Sequence, residues 1–174
     1  MRSFLRKRTA SVLVKSIIGA ALLSGSSAFA VSVVPGSVCN VYVDPVTGAG
    51  SGGAVQYFFG SVAAGVGTGN LFTCPIPNGS TNGTSVRFRI NVTDESSTDN
   101  VICQGLAKDF NTGITVLSSA SVSSAGTFGP VTLDVTAAVP AGYSSADLVY
   151  FVECSVPAVA GFGLISSVNS IRID

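Results

Sequence analysis

The sequence contains no histidine and no tryptophan, and charged residues make up only 10% of its 174 positions. Histidine is the most frequent general base in enzymes, so the common Ser-His and Cys-His nucleophiles cannot form. Aromatic faces on which sugar rings could stack are also few, mainly Tyr42, Tyr57 and Tyr143. We therefore expect neither catalytic activity nor a bound cofactor.

Long apolar runs are scarce as well. The run SIIGAALL, residues 16–23, is well short of the roughly 20 residues that cross a bilayer. Five basic residues precede it and the sequence Ala28-Phe29-Ala30 follows it, which is the pattern of a bacterial secretory signal. We predict a signal peptide over residues 1–30 and one mature domain over residues 31–174. The mature protein would be secreted or periplasmic, with no membrane insertion after cleavage.

Positive charge is rare in the predicted mature chain. Its four basic residues are Arg87, Arg89, Lys108 and Arg172, and nine acidic residues give it a net charge of −5. Phosphate backbones and anionic lipid surfaces repel such a chain. We therefore expect no nucleic-acid partner and no binding to anionic membranes.

The four cysteines, Cys39, Cys74, Cys103 and Cys154, all lie in the mature part. Their intervals of 35, 29 and 51 residues are too wide for the closely paired ligands of a typical zinc site. A thiol nucleophile needs a base or a nearby cation, whereas Cys154 follows the carboxylate of Glu153. An even number of cysteines in an exported chain instead indicates two disulfides.

Four cysteines allow three pairings, and spacing alone does not choose among them. We predict Cys39–Cys74 and Cys103–Cys154. The second pair lies in two of the most apolar strand candidates, and each member of the first is soon followed by proline, as at sheet edges. The predicted Cα separation is about 5.5–6 Å. Bridges between inward-facing positions could tie two sheets together, each stabilising the fold by roughly 4 kcal/mol.

Alternation of apolar and polar residues predicts strands. In SVRFRINVT, Val86, Phe88, Ile90 and Val92 share one face, and PVTLDVT and NSIRID repeat the pattern. Further strand candidates are CNVYV, VQYFFG, NLFTCP, NVICQGLA, GITVLSS and DLVYFVEC. Together they predict an all-β antiparallel β-sandwich, immunoglobulin-like or jelly-roll-like, with a partly closed barrel as the alternative.

Two glycine-rich stretches, residues 47–54 and 60–70, lack the Lys-Ser/Thr of a phosphate loop, and we expect flexible loops there. The segment TDESSTDN, residues 93–100, is expected to be a hairpin loop. Its Asp94, Glu95 and Asp99 could hold calcium, although their spacing differs from an EF-hand. The alternative for this segment is a solvated acidic turn.

The segments LFTCPIP, VICQGL, YFVECSVP and NSIRID, after an N-terminal cysteine, resemble small exported four-cysteine proteins of proteobacteria that have no established activity. The resemblance covers most of the mature chain. It implies a disulfide-bonded β-sandwich and no particular activity. The ending Ser170-Ile171-Arg172 departs from the aromatic residue expected before the arginine.

Two function classes remain. A structural or interaction protein of the periplasm or cell surface would partner itself or another surface protein, and low charge and disulfides suit it to that environment. Alternatively, loops at one end of the sandwich would bind a ligand or glycan. A long unpaired strand edge or a large apolar patch would favour the first class. A deep pocket with converging polar groups would favour the second.

Overall fold

The computed structural model describes residues 32–42, 55–58, 60–64, 69–77, 84–158 and 165–174. These residues form an all-β antiparallel sandwich of two six-stranded sheets, as the alternation predicts. Two short 3-10 turns, Gly36–Val38 and Ser145–Asp147, interrupt the strands. No helix among the described residues is long and apolar enough to cross a membrane. The predicted signal, residues 1–30, lies outside the described residues.

The strands are numbered in chain order and divide between two sheets. The first sheet contains β1 (Ser32–Pro35), β3 (Val55–Phe58), β4 (Ser61–Ala64), β6 (Ser85–Asp94), β10 (Gly129–Ala138) and β12 (Ser167–Ile173). The second contains β2 (Asn40–Val41), β5 (Asn70–Ile76), β7 (Ile102–Asp109), β8 (Thr115–Ser118), β9 (Val122–Ser123) and β11 (Leu148–Val156). The strand order in the first sheet is β10-β6-β12-β4-β3, and β1 also pairs with β12. The strand order in the second sheet is β2-β5-β11-β7-β8, and β9 also pairs with β7.

The inward residues of both sheets form one apolar core. The inward side of β6 is buried along its whole length, from Val86 to Val92. Phe88 of the first sheet packs against Gly105 and Tyr150 of the second, and the two aromatic rings meet edge to face at 6.3 Å. This contact shows how the sandwich closes, because a ring from one sheet fills the space left by a missing side chain on the other.

Some expectations about connections are wrong. The glycine-rich stretch 60–70 is not simply a loop, since its residues 61–64 form β4 and pair with both β3 and β12. The segment 93–100 is not a hairpin loop, because it joins β6 of the first sheet to β7 of the second. The short strands β1 and β9 have no clear alternation in the sequence. The glycine-rich stretch 47–54 lies outside the described residues.

The disulfides join Cys39 to Cys74 and Cys103 to Cys154, which is the predicted pairing. Contrary to the expectation that they would tie the two sheets together, both lie within the second sheet. Cys103 and Cys154 are direct partners on β7 and β11, and Cys39 precedes β2 in register with Cys74 of β5. The Cα separations are 3.9 and 4.1 Å, shorter than predicted, because each bridge joins directly opposite strand positions.

Candidate functional site

Strand β10 has the longest unpaired side in the described part of the chain. It has ten residues and pairs there with β6 alone. The strands at the other sheet ends, β2, β3 and β8, have only two or four residues. Long unpaired edges offer backbone donors and acceptors to an incoming strand. We call the side of β10 that faces away from β6 the β10 edge.

Hydrogen bonds around Arg87 show which groups point to this edge. The Arg87 N–H donates to the Asp174 carbonyl at 3.1 Å, and the Asp174 N–H donates to the Arg87 carbonyl at 3.0 Å. Both backbone groups of Arg87 thus face away from its β10 partner, Thr136. Arg87 and Thr136 are therefore a non-hydrogen-bonded pair, in which the N–H and C=O groups of both residues point away from each other. Those of Thr136 consequently point to the β10 edge. By alternation, Thr132 and Asp134 do the same, and the missing N–H of Pro130 falls on the edge, where proline is tolerated.

The outer face of the first sheet is polar and carries ion pairs. Arg87 donates to Asp134 from Nε at 2.8 Å and also from Nη2, while Arg89 and Arg172 both bind Asp174. The hydrogen bond from Arg87 lowers the pKa of Asp134, and the same bond raises the pKa of Arg87. Three of the four basic residues of the predicted mature chain are therefore held beside carboxylates on this face.

An uncharged row crosses the same face. The Thr132 hydroxyl donates to Asn91 Oδ1 at 2.7 Å, and Asn91 Nδ2 donates to Ser170 Oγ at 2.9 Å. The row therefore links β10, β6 and β12 and ends at the β10 edge. A polar, exposed face of this kind does not require a covering layer. The β10 edge differs from it, because its backbone N–H and C=O groups have no partner strand.

A cavity of about 340 Å³ lies on the second sheet near the turn between β7 and β8. Its lining is mainly apolar and includes Pro75, Val149 and Phe151, with the Lys108 ammonium 5.1 Å from the centre of the Phe151 ring. Phe110, at the rim, is 72% exposed. The Asp109 carboxylate accepts hydrogen bonds from the backbone of its own turn. Few polar groups converge here, in contrast to a typical small-molecule site.

The proposed calcium ligands Asp94, Glu95 and Asp99 do not come together as a metal site, and the described residues contain no such cluster of three ligating side chains. Asp94 is buried, and its carboxylate accepts hydrogen bonds from the hydroxyls of Ser124 and Ser166. Backbone N–H groups of Ser96 and Val101 also donate to it. Asp99 is exposed and accepts from the neighbouring Thr98.

The other candidates from the sequence are also separated. Hydrolysis by paired carboxylates would require two acidic side chains facing each other across a cleft. Asp134 and Glu153, acidic residues at outward strand positions, lie on different sheets and so cannot form such a pair. Tyr143 is 36% exposed and Tyr42 is half-buried. The side chain of Tyr57 lies outside the described residues. The four cysteines are buried in disulfides and act as structural residues.

No protein-family model and no curated protein matches the sequence. Among solved structures, the chain is similar to the enzymatically active domain of tailspike protein 4 from bacteriophage CBA120, at 13% identity and a TM-score of 0.36. The similarity covers 82% of this chain and 18% of that one, so this chain spans less than a fifth of the tailspike structure. The enzymatic activity in that description belongs to the tailspike protein.

Proposed function

We propose that the chain is an exported structural or interaction protein of the bacterial periplasm or cell surface, without catalytic activity. The disulfide-bonded all-β fold fits an extracellular protein. The β10 edge is the observation that supports an interaction role. Its outward backbone groups would gain hydrogen bonds from a partner strand, as happens when proteins bind by strand addition.

Photo-crosslinking in the exporting bacterium tests this proposal. A photoreactive amino acid in place of Thr132 samples the β10 edge, and the same amino acid in place of Asn111 samples an exposed turn as the matched control. We expect crosslinked species of higher mass from position 132 and few from position 111. Equal or absent crosslinking at the two positions, in protein that is exported and disulfide-bonded, would refute an interaction role for the edge.

A second candidate function is ligand or glycan binding in the cavity beside Phe151. The exposed Phe110 ring and the ammonium of Lys108 favour it, since they offer an apolar face next to a positive charge. Native mass spectrometry of the exported protein would reveal a retained ligand. Phe110→Ala would then reduce its occupancy, whereas Phe128→Ala, which removes another largely exposed ring elsewhere, would not.

A further inference from the structure

We infer that the partner of the β10 edge is β10 of a second copy, paired antiparallel about a two-fold axis at Leu133. This inference rests on the interaction role proposed above and names its partner. An isologous contact of this kind uses one surface twice, so the edge must be complementary to itself. Outward backbone groups recur at every second residue of β10 and allow several registers, among which charge and the size of the apolar side chains favour the one centred on Leu133.

The register follows from which residues point outward. Only residues that direct both their N–H and C=O groups to the edge can form hydrogen-bonded pairs with an added strand, and by alternation these are Thr132, Asp134, Thr136 and Ala138. With Leu133 opposite Leu133 of the second copy, Thr132 of each copy lies opposite Asp134 of the other. Each of these two pairs can exchange two hydrogen bonds.

Electrostatic repulsion disfavours the neighbouring register, in which the two-fold axis lies at Asp134. If Asp134 were opposite Asp134 of the second copy, two carboxylates would face each other directly, which is destabilising across strands. In the register centred on Leu133, each Asp134 faces a neutral threonine and keeps its own ion pair with Arg87. The missing N–H of Pro130 then falls opposite Thr136, at the two ends of the contact, where one lost hydrogen bond matters least.

Both faces of the enlarged sheet would also continue without interruption. On the inner side, Val131 of one copy would lie opposite Val135 of the other, beside the two Leu133 side chains, so apolar residues adjoin apolar residues. On the outer side, the hydrogen-bonded row of Ser170, Asn91 and Thr132 would continue to Asp134 of the second copy. A two-fold axis at Val135 would instead place each Leu133 opposite the smaller Ala137, so the register centred on Leu133 brings the larger apolar side chains together.

Sedimentation equilibrium of the full chain, as processed by the expressing bacterium and with its disulfides intact, tests the inference. We expect concentration-dependent dimers. Thr132→Pro removes one outward N–H without removing a bond to β6, and it should weaken dimerisation about tenfold or more. Thr132→Val keeps the N–H and the side-chain shape, so it should dimerise nearly as the natural chain does.

Hydrogen exchange of the natural chain gives a second measurement that does not depend on the folding of the proline variant. The N–H groups of Thr132, Asp134 and Thr136 should become protected as the concentration rises. A chain that stays monomeric, or a Thr132→Pro variant that is folded and dimerises normally, would overturn the inference. If the crosslinks from position 132 then contain a different protein, the proposed interaction role stands and the second copy is excluded.

Discussion

At the scale of single residues, the contact of Gly105 with Phe88 is among the least tolerant in the sandwich. A Cβ atom added at position 105 would lie 2.3 Å from Phe88 Cδ2, closer than any real packing contact. The ring cannot simply move, because it also packs against Tyr150. We expect Gly105→Ala to destabilise the protein by about 1–3 kcal/mol, measured by denaturant unfolding.

Relief of the clash provides the control for this prediction. Phe88→Leu removes the ring and costs stability by itself, but in combination with Gly105→Ala it should cost less than the sum of the two changes. A double-mutant cycle measures that difference. Additive effects, or a Gly105→Ala variant as stable as the natural chain, would show that the ring and residue 105 are not in close contact.

The buried carboxylate of Asp94 is a second residue that organises its surroundings. Hydroxyl and N–H donors from three segments converge on its two oxygens, including those of Ser124 and Ser166. Asp94→Asn replaces one accepting oxygen with an NH2 group that faces existing donors. We expect a loss of about 1–3 kcal/mol in the free energy of unfolding. Asp99→Asn, at an exposed position, should cost far less, and equal losses would contradict this account.

The ion pair of Arg87 with Asp134 predicts a pH dependence. Its hydrogen bond lowers the pKa of Asp134 in the folded state, so the stabilisation is present above the unfolded-state pKa of about 3.9. It is lost as the pH falls through the folded-state value. Melting temperatures should therefore be slightly higher for the natural chain than for Asp134→Asn at neutral pH, and the difference should vanish in acid.

Salt is the control for that comparison, because an exposed ion pair is screened. The difference in melting temperature at neutral pH should shrink as salt is added. A difference that grows in acid would mean that Asp134 stabilises the fold by some route other than its ion pair.

At the scale of elements, the sequence predicts strands well where alternation is long and poorly where it is short. The inward set of β6, and Ile171 with Ile173 of β12, were predictable because apolar residues alternate there and one face is buried, whereas Val168 lies beyond an irregularity in β12 that interrupts the alternation. Strand β4, with its sequence Ser-Val-Ala-Ala, shows no alternation and is held by its neighbours β3 and β12. The edge position of β10 could not be predicted, since it depends on which strands lack a neighbour in space.

The two-residue strand β2 depends on its disulfide. It pairs with β5 at Asn40 and Val41 only, and the Tyr42 N–H extends the pairing with a hydrogen bond to the Leu71 carbonyl at 2.7 Å. Replacing Cys39 and Cys74 by alanine should lower the free energy of unfolding by roughly 4 kcal/mol, because the unfolded chain regains the entropy that the closed loop removes. Hydrogen exchange of the Tyr42 N–H should also accelerate, because the bridge lies next to this short strand and reinforces its few backbone hydrogen bonds to β5.

The other disulfide supplies the matched comparison. Replacing Cys103 and Cys154 by alanine should lower global stability by a similar amount but leave the Tyr42 N–H protected in the native state. The reason is that β7 and β11 remain paired along their length. Protection of Tyr42 that is equal in the two double variants would contradict a local role for the Cys39–Cys74 bridge.

At the scale of the whole molecule, the two sheets meet through side-chain packing, and both disulfides among the described residues lie within one sheet. The alternation of the sequence predicts the apolar packing. The cysteine pairing is also as predicted, although the expectation that Cys74 lies at a sheet edge is wrong, since its strand β5 pairs with both β2 and β11. The placement of both bridges in one sheet was not predictable, because inward-facing cysteines look alike whether they oppose each other across a sheet or between sheets. For the same reason, the separation of Asp134 from Glu153 required the strand order.

We expect the stability of this molecule to depend on its disulfides far more than on any metal ion. Two bridges worth roughly 4 kcal/mol each are comparable to the about 5–15 kcal/mol that separates a typical folded domain from its unfolded state. The reduced protein should therefore be marginally stable or unfolded, whereas a chelator should leave the melting temperature unchanged. Because the cysteines are buried, reduction must be carried out on unfolded protein before refolding is measured. A chelator that lowered the melting temperature as much as reduction does would contradict this prediction and would support calcium binding at Asp94, Glu95 and Asp99.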